Sequence, residues 1–251
     1  MTTHALLLCL LTCLTLHALG SEIIKGQNVP EGMMGYMASV QENGRHKCGG
    51  FLINERFVLT AAHCHMPNLS VVLGTHNLRK VNNNTMRYDV KMCPHPLYRN
   101  NVSGGHDIML LKLSRKARLG KTVQIIHLPN AKMKIKDKSK CRVAGWGYTT
   151  TGGNTSEQLK VVDVPIVSFK VCKEKWGDHL PANVICAGGY GTKKGFCQGD
   201  SGGPLVCGGK AVGVVSFNNG SDCSYPNVPN VYTKVSKYLA WIKKILKQNN
   251  C

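Results

Sequence analysis

The strongest constraint on this chain is its punctuation. Short apolar runs, "CGGFLI", "RFVLTAA", "SVVLG", "DIMLLKL", "CRVAGWG", "PLVC" and "AVGVVSF", are separated by turn-forming clusters such as "NNNT", "YRNNVSGG", "TTTGGNT" and "FNNGSD". Runs of about 4 to 7 residues bounded by Gly, Asn, Ser and Pro read as strands, because they are too short to bury a helical face. The 27 glycines and 10 prolines supply the turns. One segment reads as a helix: in "VSKYLAWIKKILKQ" the apolar Leu239, Ile242, Ile245 and Leu246 recur at helical spacing, with Lys243, Lys244 and Lys247 beside them. The pattern is all-β with a C-terminal α-helix. The 251 residues suit one large domain or two small ones, and no internal repeat or low-complexity tract is visible.

The first twenty residues differ from the rest. "ALLLCLLTCLTLHALG" is a continuous apolar run closed by the small-x-small triplet Ala18-Leu19-Gly20. It is short for a bilayer span, so residues 1–20 are expected to be a secretory signal peptide. No second run of that kind occurs, and no membrane anchor is expected. Secretion implies an oxidising compartment. Ten cysteines follow the leader: Cys48, Cys64, Cys93, Cys141, Cys172, Cys186, Cys197, Cys207, Cys223 and Cys251. An even number there reads as disulfides, with connectivity open. "HCH" at 63–65 lacks the companion spacings of a zinc site, so no metal is expected. Five N-x-S/T sequons stand at Asn68, Asn83, Asn101, Asn154 and Asn219, most of them in expected loops, so a glycoprotein is expected, with Asn219 the least favoured of the five. Lys plus Arg total 32 against 13 acids, a formal charge of +19. Such a surface favours polyanionic partners. In "AKMKIKDKSKCR" the lysines 132, 134, 136, 138 and 140 alternate, which in an extended segment puts them on one face. No nucleic-acid recognition motif is present.

Three short motifs carry chemistry. A serine hydroxyl is a weak nucleophile unless a base takes its proton and an acid orients that base. "TAAHC" ends an apolar run on His63, "HDIMLLKL" opens one with Asp107, and "GDSGGP" sets Ser201 among glycines that let backbone N–H groups approach a substrate carbonyl. These motifs, in this order, resemble the chymotrypsin-like serine proteases over residues 23 to about 247. The resemblance implies two six-stranded antiparallel β-barrels packed around a cleft, with subdomains of roughly 23–125 and 126–235 followed by the C-terminal helix. It implies His63, Asp107 and Ser201 as the catalytic residues, the N–H groups of Gly199 and Ser201 as the oxyanion hole, and no cofactor. Ser216 would present backbone to the substrate strand. The family pattern pairs Cys48–Cys64, Cys141–Cys207, Cys172–Cys186 and Cys197–Cys223. Cys93 and Cys251 have no place in it, which leaves pairing with each other, free thiols or a disulfide dimer as the open alternatives, pairing or the dimer being favoured over free thiols. "GTHNLRKVNNNT" lacks the acids of the family's calcium loop.

"IIKGQNVP" from Ile23 resembles the mature start of these enzymes, whose freed amino terminus pairs with the acid before the serine, here Asp200. Only Ser21-Glu22 would then separate the leader from Ile23. An acidic dipeptide of that kind resembles the granzymes and the mast-cell granule proteases, which a dipeptidyl peptidase activates. The implied protein is a secreted or granule-stored endopeptidase acting on peptides and proteins, with a heparin-like proteoglycan as partner. The alternative is a catalytically silent cationic relative with heparin-binding or antimicrobial action. In the family the residue six before the serine floors the primary specificity pocket. Here it is Gly195, beside Phe196, so a basic side chain would find no acid there. Asn218 and Asn230 stand where open pockets have glycines. Cleavage after small to medium uncharged residues is expected; the two asparagines could instead hydrogen-bond Asn or Gln.

Overall fold

The apolar runs close into two barrels. The computed structural model describes residues 23–220, 222–224, 227–249 and 251; the expected leader and Ser21-Glu22 lie outside them. The strands are β1 (Gln27–Asn28), β2 (Met37–Glu42), β3 (Arg45–Asn54), β4 (Phe57–Thr60), β5 (Leu69–Leu73), β6 (Arg87–Pro94), β7 (Met109–Leu113), β8 (Lys140–Gly145), β9 (Lys160–Val167), β10 (Val184–Ala187), β11 (Pro204–Cys207), β12 (Lys210–Phe217) and β13 (Asn230–Lys234). The helices are α1 (Asn83–Met86), α2 (Phe169–Trp176) and α3 (Leu239–Gln248). The first barrel runs β2-β3-β4-β7-β6-β5 and closes by β5 pairing with β2. The second runs β8-β9-β10-β13-β12-β11 and closes through β11 and β8. All these pairings are antiparallel, and closure leaves no strand edge to attract another chain.

The ends of the chain cross between the barrels. β1 follows the expected mature start yet pairs with β9 of the second barrel, Gln27 opposite Val161. The buried Ile23 side chain joins the second core, with Val143, Val162, Phe196 and Tyr232. Conversely, α3 lays Ile242 and Ile245 against the first core, with Phe51, Leu59 and Leu110. Each barrel is therefore completed by a segment from the far end of the sequence.

Five disulfides are present among the described residues. Four are the pairs implied by the family pattern: Cys48–Cys64, Cys141–Cys207, Cys172–Cys186 and Cys197–Cys223. The fifth joins Cys93 on β6 to Cys251. Of the alternatives left open, the two cysteines pair with each other within the chain, which leaves neither for a disulfide dimer. The bond fastens the end of α3 to the first barrel, where Lys112 also donates to the Asn249 carbonyl.

One other expectation changes. The C-terminal segment is not the single helix, since α2 forms as well, its N-terminus capped by the Ser168 hydroxyl accepting from the Val171 N–H at 3.3 Å. Only Cys172 of α2 is buried, so no apolar stripe announced it. Residues 132–139 lie outside the strands, and the alternation holds in the first half of the segment. There Met133 and Ile135 pack on the second core while Lys132, Lys134 and Lys136 stay exposed. No helix among the described residues is long and apolar enough to cross a membrane.

Candidate active site

The cleft between the barrels gathers residues far apart in sequence. β4 ends at Thr60, and a single 3-10 turn, Ala62–Cys64, carries His63 to the cleft with its side chain about one quarter exposed. Cys64 of that turn is bound to Cys48 of β3, which fixes the turn against the barrel wall. The same disulfide occupies the two cysteines that neighbour His63, so this group offers no thiolate pair for a metal.

Asp107 precedes β7 by two residues and is 1% exposed. Its preceding residue, His106, has a left-handed φ of 57°. The His106 ring is stacked on His95 at 5.0 Å, and Tyr238 stands edge-on to it at 5.9 Å. These aromatic contacts hold the bend that turns Asp107 inward. Its carboxylate is saturated with donors. Oδ1 accepts from the His63 backbone N–H at 2.9 Å, and Oδ2 meets His63 Nδ1 at 2.8 Å and accepts from the Ser216 hydroxyl at 2.5 Å. Burial by itself pushes this carboxyl up, but the hydrogen bond and charge of His63, with the Ser216 hydroxyl, outweigh it and hold the group below the usual carboxylate range. An ionised Asp107 requires His63 Nδ1 to carry a proton toward it, which leaves Nε2 of the neutral ring free to act as a base.

Ser216 reaches Asp107 because of a bulge. In the β12–β13 ladder Val215 opposes Tyr232 and Phe217 opposes Val231, so Ser216 is the extra residue with no partner across the strand. An unpaired residue in a bulge can aim its side chain independently of the pleat. The sequence reading gave Ser216 only a backbone role; the hydroxyl contact was not legible, since a bulge leaves no mark on the pattern "AVGVVSF".

Ser201 sits on the turn before β11, half-buried at the seam of the two barrels. Its carbonyl accepts from the Gly49 N–H of β3 at 2.7 Å and lies 3.8 Å from Cys64 Sγ, beside His63. Gly202 makes this approach possible. Its φ is +81°, and a side chain there would collide with the Thr60 hydroxyl and the Gly49 carbonyl. Thr233 of the second barrel adds a bond from its hydroxyl to the Asp107 carbonyl at 2.8 Å. Residues of both barrels thus fix one cleft wall against the other. Gly199, with φ +91°, lies two residues before Ser201, its carbonyl turned away and accepting from His46 Nε2 at 2.9 Å. His46 Nδ1 is held in turn by the Ser39 hydroxyl at 2.8 Å. Burial drives the His46 pKa down to about 4, so the ring is neutral and donates from Nε2. No motif drew attention to His46.

Asp200 faces the other way and is 0% exposed. Its two oxygens accept from the Gly147 N–H at 2.8 Å and the Cys197 N–H at 2.9 Å. Side chains at residues 145 or 147 would strike this carboxylate, which explains the glycines of "AGWG". Two backbone donors do not offset complete burial, and the carboxyl is pushed up to about 7.

On the other side of the serine, Gly195 and Phe196 are buried, and the Phe196 ring stands edge-on to Tyr232 at 5.2 Å. Asn230, 0% exposed, accepts from the Phe196 N–H at 3.4 Å. Asn218 is only half-buried, and its amide reaches toward Cys223 Sγ at 3.6 Å. Beside Gly199 and Gln198 runs a groove of about 580 Å³ bordered by Arg45, Lys47 and Arg87.

Comparison with known proteins agrees with this geometry. The trypsin family model matches residues 23–242. Granzyme B of Rattus norvegicus is 41% identical over 236 residues, covering 91% of this chain and 92% of its own. Duodenase-1 of Bos taurus is 37% identical and covers 97% of this chain and 96% of its own. Mouse neuropsin, a serine protease of the limbic system, has a solved structure that superposes with a TM-score of 0.81 at 36% identity, covering 88% of this chain and 99% of that one. The chain belongs to the trypsin family, and it is a serine endopeptidase of the chymotrypsin-like fold.

Proposed function

We propose that the protein hydrolyses peptide bonds through Ser201, His63 and Asp107 by way of an acyl-enzyme. The Ser201 hydroxyl oxygen attacks the scissile carbonyl carbon while His63 Nε2 takes the hydroxyl proton. The carbonyl oxygen becomes an oxyanion that accepts from the Gly199 and Ser201 N–H groups. The C–N bond then breaks as His63 returns the proton to the leaving amine. Water, activated by the same imidazole, releases the acid and restores Ser201. Asp107 keeps its charge throughout and stabilises the imidazolium. The observation that carries this reading is the triply bonded Asp107 carboxylate, which orients His63 through both its backbone and its ring. A protein that only binds polyanions has no use for such an arrangement.

In this reading the full chain is a secreted or granule-stored zymogen. A dipeptidyl peptidase removes Ser21-Glu22, and the freed Ile23 amine pairs with Asp200. Supporting it are the burial of Ile23 and of Asp200 within the second barrel. Gly195 and the buried Phe196 and Asn230 support cleavage after small to medium uncharged residues, since a lysine or arginine would lose its hydration without meeting an acid. The exposed lysines 132, 134 and 136 support a heparin-like proteoglycan as partner. Labelling by a fluorophosphonate serine reagent tests the core of the proposal. The form starting at Ile23 incorporates the label at Ser201; absence of labelling in that form would favour the silent cationic relative.

A further inference from the structure

The mechanism leaves one cluster of titratable rings unused. His95 directly follows β6, and His106 directly precedes Asp107; their imidazoles stack at 5.0 Å with only 6° between the planes. His95 is 9% exposed, with Tyr238 edge-on to it at 5.2 Å and Trp241 of α3 edge-on at 5.0 Å. Its Nδ1 accepts from the Leu97 backbone N–H at 3.3 Å, which fixes the ring as the neutral form with its proton on Nε2. The backbone is engaged too: the His95 N–H donates to the Ile108 carbonyl at 3.0 Å. His95 therefore grips the chain on both sides of Asp107, by its ring at residue 106 and by its N–H at residue 108. The bend it holds is a costly one, since His106 sits at a left-handed φ of 57°.

We propose that His95 is a proton-sensitive positioning residue for Asp107: one proton on its ring breaks the stack on His106, frees the bend and withdraws the carboxylate from His63. The inference rests on the protease reading above and adds a regulation to the same site. A proton on Nδ1 turns the acceptor into a donor that faces the Leu97 N–H, and it places a charge inside an aromatic enclosure. No counter-charge waits there. Among the described residues neither imidazole has an ion pair or hydrogen bond with a carboxylate, and Asp107 spends its oxygens on His63 and Ser216. Tyr238 faces both rings, with its hydroxyl 3.4 Å from His106 Nδ1, and the Tyr98 N–H donates to the His95 carbonyl at 2.9 Å. Burial pushes both phenols up, Tyr98 to about 12, so they stay neutral. Burial, with the neighbouring His106, holds the His95 ring below its ordinary value of 6.5. The folded state rejects this proton, so the grip is complete at neutral pH and is lost as pH falls below 6.5.

The test follows kcat/KM of the Ile23-start enzyme on one peptidyl coumarin amide from pH 5 to 8, above the range in which His46 titrates. Protonation of His63 alone lowers kcat/KM by about 10-fold per pH unit on the acid limb; a second essential proton steepens the limb toward about 100-fold per unit. The native enzyme should show the steeper limb. His95→Asn keeps an acceptor for the Leu97 N–H, and His95→Phe keeps a stacked ring, but neither takes a proton, so both should return the limb to about 10-fold per unit. Each profile is read relative to its own value at pH 8, so it does not depend on the fraction that folds. In the Ser201→Ala form, the Asp107 backbone amide resonance should show an inflection at the midpoint of the His95 ring resonance, and His95→Asn should abolish it. A native limb of 10-fold per unit, a steep limb kept by both variants, or an Asp107 amide indifferent to His95 overturns the inference. Fluorophosphonate labelling at pH 8 separates the two layers. A labelled enzyme with a single-proton limb sinks this inference alone, whereas an enzyme that neither labels nor cleaves sinks the protease reading, and the resonances then decide whether His95 governs Asp107.

Discussion

Removal of Ser21-Glu22 should change how stability depends on pH, and the size of the change follows from two buried groups. Asp200, enclosed and held by two backbone donors, has its carboxyl raised from 3.8 to about 7. That shift corresponds to roughly 4 kcal/mol. The folded state binds this proton more tightly than the unfolded state, so the contribution is complete below pH 4 and is lost as pH rises toward 7. His46 acts in the opposite sense. Burial lowers its pKa from 6.5 to about 4, which corresponds to roughly 3 kcal/mol at most because the residue is only half-buried by surface area. The folded state rejects this proton, so stability is complete above pH 6.5 and falls as pH drops toward 4. In the Ser21-start form the two slopes oppose each other between pH 4 and 6.5 and largely cancel. In the Ile23-start form the proposed ammonium beside Asp200 should keep the carboxylate ionised and remove its slope. What remains is the His46 slope, so stability should climb from pH 4 to 6.5. Near pH 7.5 the processed form should also be the more stable by up to about 4 kcal/mol, or at most roughly 8 to 16 °C in Tm for a chain of this size.

Thermal unfolding of both forms, each carrying Ser201→Ala to prevent self-digestion, reads these profiles directly between pH 4 and 8. Superimposable profiles, or a Ser21-start form that is the more stable at pH 7.5, would refute the pairing of Ile23 with Asp200. A peptide assay on the unmutated pair gives a second reading: equal turnover by the two forms would remove the zymogen.

Three further outcomes are expected. Ser216→Ala removes the 2.5 Å donor from Asp107 Oδ2, so the acid limb of the kcat/KM profile should move to higher pH and kcat should fall by about 10-fold, far less than the ~10⁴-fold seen for Asp→Asn at the triad in enzymes of this family. Thiol titration of the denatured, unreduced protein should find no free thiol beyond the leader, with a single-chain band on a non-reducing gel; replacing Cys93 and Cys251 together with serine should cost about 2–4 kcal/mol of stability in urea unfolding. Reversing Lys132, Lys134 and Lys136 to glutamate should lower the salt needed for elution from heparin by more than it lowers elution from a plain cation exchanger, and equal shifts on the two columns would mean a general charge effect.

The sequence disclosed most where one local pattern maps onto one element. β4, β5, β7, β11 and β12 come from continuous apolar runs whose residues are nearly all buried, and these were readable as strands. β6 is "RYDVKMCP", with only Tyr88 and Cys93 buried, and its polar face hid it. β2 was hidden for a different reason. It buries Ser39 and Gln41, polar residues that a pattern reading assigns to the surface. They are tolerated because they satisfy one another: Gln41 donates to the Ser39 hydroxyl at 3.1 Å and accepts from Arg87 at 2.9 Å, while Ser39 holds His46. Such a network exists only once β2, β3 and β6 are assembled, so no window of sequence contains it.

The same distinction applies to the site. His63, Asp107 and Ser201 stand in local motifs, which is why the sequence singles them out. The contacts that orient them are all long-range: Ser216 to Asp107 across 109 residues, Thr233 to Asp107 across 126, and His46 to Gly199 across 153. Each joins one barrel to the other, and so does the Gly49 N–H bond to the Ser201 carbonyl. The crossing of the chain ends works in the same direction. The segment freed by processing belongs by packing to the second barrel, which carries Asp200 and Ser201, while α3, at the other end of the chain, packs on the first, which carries His63 and Asp107. A cleavage next to Ile23 therefore acts on the serine-bearing barrel and leaves the histidine–aspartate pair undisturbed. This division makes the zymogen reading specific. Before processing, the His63–Asp107 hydrogen bonds should already be formed and the chain should lack only an ordered Gly199–Ser201 turn. Amide exchange should accordingly protect His63 N–H equally in both forms, with the difference concentrated in residues 195–202; equal protection there, or a loss at His63, would contradict it.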